Sequence, residues 1–139
     1  FSWLLPRVCA IPVNRDGDSD VRSIRMALGV LKEGNGLLIF PEGTRSPDGQ
    51  LQDGQRGVGM LAARAGVPVV PCRIFGSFEA LNREHASPRW QTPLTVVFAP
   101  PVPCEQIDPG KSHPERYEEA ANRIMRAIAT IQPPHEKVP

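Results

Sequence analysis

Short apolar runs alternate with stretches of helical periodicity, and this alternation constrains the fold more than any other feature of the chain. Four runs have the length and composition of buried strands, at residues 7–13, 37–40, 67–74 and 94–99. Helical segments separate most of them, and such a rhythm favours parallel strands joined by right-handed crossovers. The sequence therefore predicts an α/β fold with a mostly parallel central sheet flanked by helices.

Three segments repeat their apolar residues every 3.6 positions, as amphipathic helices do when one face packs on a sheet. They are expected at about 18–33 and 57–65, and from near Pro114 onward. The inner side of the last helix is predicted to consist of Tyr117, Ala121, Ile124, Ile128 and Ile131. We expect one domain over residues 1–132 and a flexible tail at 133–139.

Composition narrows the classes of function. The 139 residues carry a formal net charge of +1, which gives no general attraction to nucleic acid. No apolar run approaches the ~20 residues that span a bilayer. The three cysteines lack zinc-ligand spacing, so reduced thiols and no metal are expected. Neither GxxxxGK[ST] nor GxGxxG occurs, which excludes a Walker-type phosphate loop.

A polar turn directly follows the second apolar run. It consists of Glu42, Gly43, Thr44 and Arg45. In a parallel sheet its end of the strand would meet the ends carrying Arg15 and Pro71, at the edge where open α/β folds bind ligands. We therefore expect these residues to lie together.

Two guanidinium groups, from Arg15 and Arg45, could bind one phosphate in a bidentate manner. Gly43 permits a positive φ, and Thr44 adds a neutral donor. Glu42 could hold an arginine or accept a hydrogen bond from a ligand hydroxyl, which points to a ligand with both a phosphate and an alcohol. The same four residues also fit an ordinary polar turn with a surface ion pair contributing ~0–1 kcal/mol.

Several motifs in order resemble the glycerolipid acyltransferases, the lysophosphatidic acid acyltransferase family. Residues 40–46 read FPEGTRS and resemble the third signature block; residues 12–16, PVNRD, resemble the second, and residues 67–71, VPVVP, the fourth. The resemblance implies transfer of a fatty acyl group from acyl-CoA or acyl-carrier protein to a lysophospholipid hydroxyl in phospholipid synthesis. No bound cofactor is implied.

The resemblance also assigns roles to residues. It places glycerol-phosphate binding on Arg15 and on the turn Glu42, Gly43, Thr44 and Arg45, whereas Pro71 and its strand help to shape the acyl site. The implied partners are a lysophospholipid, an acyl thioester and a membrane surface, and the implied location is the cytoplasmic face of a membrane.

Two departures from the family pattern affect the interpretation. The His-x4-Asp block, which supplies the general base in the family, occurs nowhere in the 139 residues. Gly54 and Gln55 replace an aromatic–lysine pair ahead of the second helix. Because the chain also starts at Phe1 without a methionine, we expect an N-terminally truncated enzyme that binds the acceptor but does not turn over by itself.

Two alternatives stay open at this level. The chain could be a non-catalytic module that binds phosphate or a lipid headgroup, because the base is absent. It could also be an unrelated α/β domain whose turn is merely polar. Alanine in place of Arg15 and Arg45 would leave lysophospholipid affinity unchanged in the last case only.

Overall fold

The computed structural model describes residues 10–11, 21–82 and 87–134. This part of the chain contains five helices and two strands. In chain order they are α1 (Val21–Lys32), α2 (Arg56–Ala65), β1 (Cys72–Phe75), α3 (Ser77–Ala80), β2 (Thr95–Phe98), α4 (Cys104–Ile107) and α5 (Arg116–Ala129). The result is a mixed α/β arrangement in which α2 and α5 form the main helix pair.

The helices α2 and α5 pack closely because small residues line their contact, and we call this pair the helical frame. Ala120 and Ala121 are fully buried, and a Cβ atom on Gly59 would lie only 2.0 Å from the carbonyl oxygen of Tyr117. Larger apolar side chains complete the buried cluster around this contact, namely Val58, Ile107, Ile124 and Ile128. The buried face predicted for the last helix is confirmed.

The two strands pair in the antiparallel direction, so this part of the sheet differs from the parallel arrangement that we predicted. Cys72 lies opposite Phe98, and Phe75 lies opposite Thr95. In the described part of the connection, residues 76–82 and 87–94, the four-residue α3 is the only helix, whereas a parallel crossover usually uses a longer helix. The chain therefore returns alongside β1 in the opposite direction. The strand expected at 94–99 is confirmed by β2.

The apolar run at 37–40 forms no strand among the described residues, which corrects the prediction. Leu38 and Phe40 are 75% and 65% exposed, respectively, and no described segment pairs with their backbone. Apolar composition indicates a strand only where a neighbour completes the hydrogen-bond ladder.

The run expected to be a strand at 67–74 is only partly one. Val69 and Val102 exchange a single pair of backbone hydrogen bonds, with N···O distances of 2.9 and 2.8 Å, as an isolated bridge. Pro68 and Pro71 have no N–H to donate, so a continuous ladder cannot form there. The regular strand begins only at Cys72.

The proline-rich connector before α5 contains an ordered anchor that the sequence analysis missed. Helix α4 places Ile107, 1% exposed, in the core. Asp108 then accepts hydrogen bonds from Nε of Arg116, at 2.7 Å, and from its Nη2. This bidentate pair holds the pKa of Asp108 at about 2, mainly through the hydrogen bonds from Arg116. The connector is thereby fixed to the start of α5.

Candidate functional site

The turn at 42–45 is a tight reversal of the backbone. The N–H of Gly43 donates to the carbonyl of Phe40 at 3.1 Å, and Gly43 adopts a φ of +67°. Only glycine enters this left-handed region without strain from a Cβ atom. The exposed Thr44 and Arg45 follow directly, so the turn presents a hydroxyl and a guanidinium group at the surface.

The turn is held from behind by the segment that leads into α2. The Glu42 carboxylate accepts the backbone N–H of Gln52 at 2.9 Å. The backbone N–H of Gln55 donates to the carbonyl of Pro41 at 2.8 Å, and its side-chain amide donates to the carbonyl of Glu42 at 3.4 Å. Residues 41–55, which we call the acceptor loop, are therefore closed at their base.

The tip of the acceptor loop is ordered by its own side chains. The Ser46 hydroxyl accepts the N–H of Gly49 at 2.9 Å, and Asp48 accepts the N–H of Gln50 at 3.0 Å. The hydrogen bonds from Gln50 and from the Ser46 hydroxyl lower the pKa of Asp48. These local bonds favour one loop shape over the many that an exposed, glycine-containing segment could adopt.

An open groove of about 1470 Å³ lies beside the turn, between the acceptor loop, the segment at 67–81 and the helical frame. Its lining includes Glu42, Gly43, Thr44, Arg45 and the buried Pro71. The structure therefore brings these five predicted site residues to a common groove.

Arg15 lies outside the described residues, so its predicted meeting with Arg45 stays a prediction. The floor of the groove is apolar and includes Leu61, Val69, Ile124 and Ile128. The groove exceeds the roughly 300–1,000 Å³ of a typical small-ligand site. Its combination of a polar turn and an apolar floor suits a ligand with a charged end and a hydrocarbon end.

Sequence reasoning missed the residues that support the turn. Gln52 contributes only its backbone N–H to Glu42, and no side-chain pattern could have indicated that bond. In the sequence, Gln55 stands out only as a departure from the family's lysine. The structure also explains Gly54: a Cβ there would lie 2.8 Å from Cγ of Met125 on α5, so an aromatic residue has no space.

The described residues contain neither a metal-binding cluster nor a helix that could cross a membrane. Within residues 10–11, 21–82 and 87–134, no group of three or more histidine, cysteine or carboxylate side chains could hold a metal ion. In the same part of the chain, no helix has the length and apolar character needed to cross a bilayer.

The family of this chain is shown by its similarity to a known protein family. The sequence profile of the Acyltransferase family matches residues 1–75, more than half of the chain. The chain belongs to the acyltransferase family. The matched region includes both the acceptor loop and Pro71.

Relatives within the family support a closer grouping with the lysophosphatidic acid acyltransferases. The chain is 37% identical over 78 residues to the chloroplastic 1-acyl-sn-glycerol-3-phosphate acyltransferase BAT2 of Brassica napus, covering 55% of the chain and 23% of that protein. It is 33% identical over 140 residues to a Pseudomonas aeruginosa enzyme of the same description, covering 99% of the chain and 53% of the relative. The chain thus spans about half or less of these relatives.

A solved structure of the family shares the architecture. The crystal structure of the 1-acyl-sn-glycerophosphate (LPA) acyltransferase PlsC from Thermotoga maritima superposes with a TM-score of 0.61 at 27% identity. The match covers 95% of this chain and 52% of that one. The similarity therefore extends across both the acceptor loop and the helical frame.

Proposed function

We propose that this chain provides the acceptor-binding part of a 1-acylglycerol-3-phosphate acyltransferase. The observation that carries the proposal is the shared groove: the turn at 42–45 and Pro71, assigned to acceptor and acyl sites by resemblance, line the same apolar-floored cavity. The names of the relatives support the substrate class.

In this proposal the acceptor phosphate binds at the mouth of the groove. Arg45 donates to the phosphate oxygens, Arg15 joins it, and Thr44 with the backbone of Gly43 adds neutral donors. The acyl chain of the lysophospholipid lies along the apolar floor. Binding at both ends fixes the free hydroxyl next to an acyl-CoA or acyl-carrier-protein thioester.

The reaction joins the acceptor hydroxyl oxygen to the thioester carbonyl carbon. The carbon–sulfur bond breaks, and the thiol leaves with the proton that the hydroxyl loses. A general base is required for efficient deprotonation. No His-x4-Asp pair occurs in these 139 residues, so the chain is proposed to position the acceptor and is assigned no base.

The proposal is tested by measuring calorimetric binding of short-chain lysophosphatidic acid below its micellar concentration. The comparison ligand is the monoacylglycerol with the same chain and no phosphate. Arg45→Ala should weaken lysophosphatidic acid binding ~10- to 100-fold, because a hydrogen bond to a charged group contributes about 1.5–3 kcal/mol. Monoacylglycerol binding should change little.

A matched control is Arg64→Ala, which removes an exposed guanidinium group from the last turn of α2, outside the groove lining. Equal losses from Arg45→Ala and Arg64→Ala would indicate a general effect of charge. Unchanged binding in Arg45→Ala would contradict the proposed site.

A second candidate function is binding of a phosphate or lipid headgroup without catalysis. No His-x4-Asp pair occurs in these 139 residues, so acceptor binding is the only part of the reaction that they are proposed to carry out. Incubation of the complete gene product with acyl-CoA and lysophosphatidic acid distinguishes the two functions. Formation of diacylated product supports the enzyme, whereas binding without product supports the module.

We also propose that the groove meets its lipid at the cytoplasmic surface of a membrane. Trp90 is 88% exposed, and its neighbours Pro88 and Leu94 line the groove. Tryptophan is favoured at membrane–water interfaces. Flotation with anionic lipid vesicles should recover the wild-type chain and less of Trp90→Ala; equal recovery would contradict this contact.

A further inference from the structure

The carboxylate of Glu42 binds protein backbone rather than projecting alone into the groove. One carboxylate oxygen accepts the N–H of Gln52, ten residues further along, at 2.9 Å. We propose that Glu42 is a positioning residue, which sets the shape of the 42–45 turn without contacting the acceptor. This inference rests on the proposed function for its binding readout, but its structural readout is independent.

The Glu42–Gln52 bond closes the acceptor loop across its base. Both residues are half-buried, so water competes less for the bond than at the exposed tip. A hydrogen bond that involves a charged acceptor is about twice as strong as a neutral one. Without it, Glu42 and the N–H of Gln52 would lose their partners, and the segments on either side of the loop could separate.

Gln55 forms the second tie and connects the turn to the helical frame. Its backbone and side chain donate to the carbonyls of Pro41 and Glu42, and its own carbonyl accepts the N–H of Val58 at the start of α2. Its Cγ would lie 3.1 Å from a Cβ on Gly43, so it also packs against the turn. The turn that carries Arg45 is thereby connected to a rigid helix.

This arrangement also explains how an acidic residue can lie beside a phosphate site. A free carboxylate would repel the acceptor phosphate. Donation from a backbone N–H offsets part of that negative charge and fixes the carboxylate on the loop. In the alternative role Glu42 accepts a hydrogen bond from the acceptor hydroxyl, and a carboxylate accepts such a bond more strongly than a neutral amide oxygen does.

The variant Glu42→Gln separates the two roles when affinity and exchange are measured together, because its amide oxygen can still accept the Gln52 N–H but is a weaker acceptor for a ligand hydroxyl than a carboxylate. We expect lysophosphatidic acid affinity within about 3-fold of wild type in Glu42→Gln, since a neutral bond retains roughly half the strength. Glu42→Ala should bind about 10-fold more weakly, because it removes a hydrogen bond to a charged group. A matched control is Glu79→Ala, which removes a carboxylate from another residue of the groove lining.

Amide hydrogen exchange provides the readout that does not depend on ligand. Exchange at Gln52 should accelerate about 10-fold in Glu42→Ala and much less in Glu42→Gln, because only the alanine variant lacks an acceptor for that N–H. Wild-type exchange rates at Gln52 in Glu42→Ala would overturn the positioning role, even if no lysophospholipid bound at all. If no lysophospholipid bound, the proposed function would be contradicted. The exchange rates at Gln52 would still test the structural role of Glu42, because they do not depend on ligand.

The binding data can overturn the inference separately. Equal and large losses of affinity in Glu42→Gln and Glu42→Ala, with normal exchange in Glu42→Gln, would show that the carboxylate contacts the acceptor.

Discussion

The helical frame and the acceptor loop are held together by different forces. The frame is an apolar contact in which Gly59, Ala120 and Ala121 let two helices approach closely. No residue of the loop is fully buried, and backbone N–H groups and polar side chains such as Glu42 and Gln55 hold its shape. Changes in the frame should therefore affect the stability of the whole chain, whereas changes in the loop should affect mainly ligand affinity.

The largest effect on stability is expected from Gly59→Ala. The new Cβ would lie 2.0 Å from the Tyr117 carbonyl oxygen and 2.6 Å from the Ala121 nitrogen, and backbone atoms cannot rotate away. We expect the free energy of unfolding to fall by about 3 kcal/mol, at the upper end of overpacking costs. Urea denaturation measures the change.

Gly57→Ala is the control for that change, because it lies in the same helix with nothing within 4 Å of the added Cβ. Alanine should stabilise the chain there by up to about 1 kcal/mol through its better helix propensity. Similar destabilisation in both variants would contradict the close helix contact.

Acidification should break the tie between the connector and α5. The Asp108 pKa, lowered from 3.8 to about 2, lies below its unfolded value, so the stabilisation is complete above about pH 4 and is lost as the pH falls towards 2. The shift corresponds to about 1–2 kcal/mol after allowance for solvent screening of the partly exposed pair. The unfolding free energy measured against pH should decline through this range.

Asp108→Asn should flatten that decline and lower stability at pH 7. The exposed Glu118 on α5 provides the comparison variant, Glu118→Gln, which should keep the slope. An unchanged slope in Asp108→Asn would show that Asp108 does not carry this pH dependence.

Two glycines with nearly equal φ angles give a small expected change in stability. Gly43 has a φ of +67° and Gly66, at the end of α2, a φ of +66°. Alanine at either position should cost about 1 kcal/mol of stability, because a Cβ is disfavoured in the left-handed region. Thermal denaturation measures this cost.

Only Gly43→Ala should also weaken lysophosphatidic acid binding, by about 10-fold, since its Cβ would press on Gln55 and shift the turn. Gly66→Ala leaves the groove lining intact. Equal affinities in the two variants would contradict a role for the shape of the turn in binding.

The helical frame was predictable from the sequence because helices that pack on one face repeat their apolar residues every 3.6 positions. The stripe from Tyr117 to Ile131 and the end of α2 at Gly66 follow from spacing and from the left-handed cap that glycine allows. The sheet was predicted less well, because strand direction depends on partners and connections far apart in the chain. Leu38 and Phe40 look like strand residues, but no described strand pairs with them.

The site was predictable only in part for a similar reason. The motif at 42–45 and Pro71 were found from residue types and resemblance, and the groove they share follows from tertiary structure. The bond from Gln52 to Glu42 uses a backbone N–H that every residue except proline possesses, so no sequence pattern marks it.

The most direct test of the acceptor site is a double-mutant cycle between Arg15 and Arg45, with short-chain lysophosphatidic acid as ligand. If both guanidinium groups bind one phosphate, each alanine variant should bind ~10- to 100-fold more weakly, and the double variant should lose much less than the product of the two effects. Fully multiplicative losses, or no loss from Arg45→Ala, would contradict a shared phosphate site.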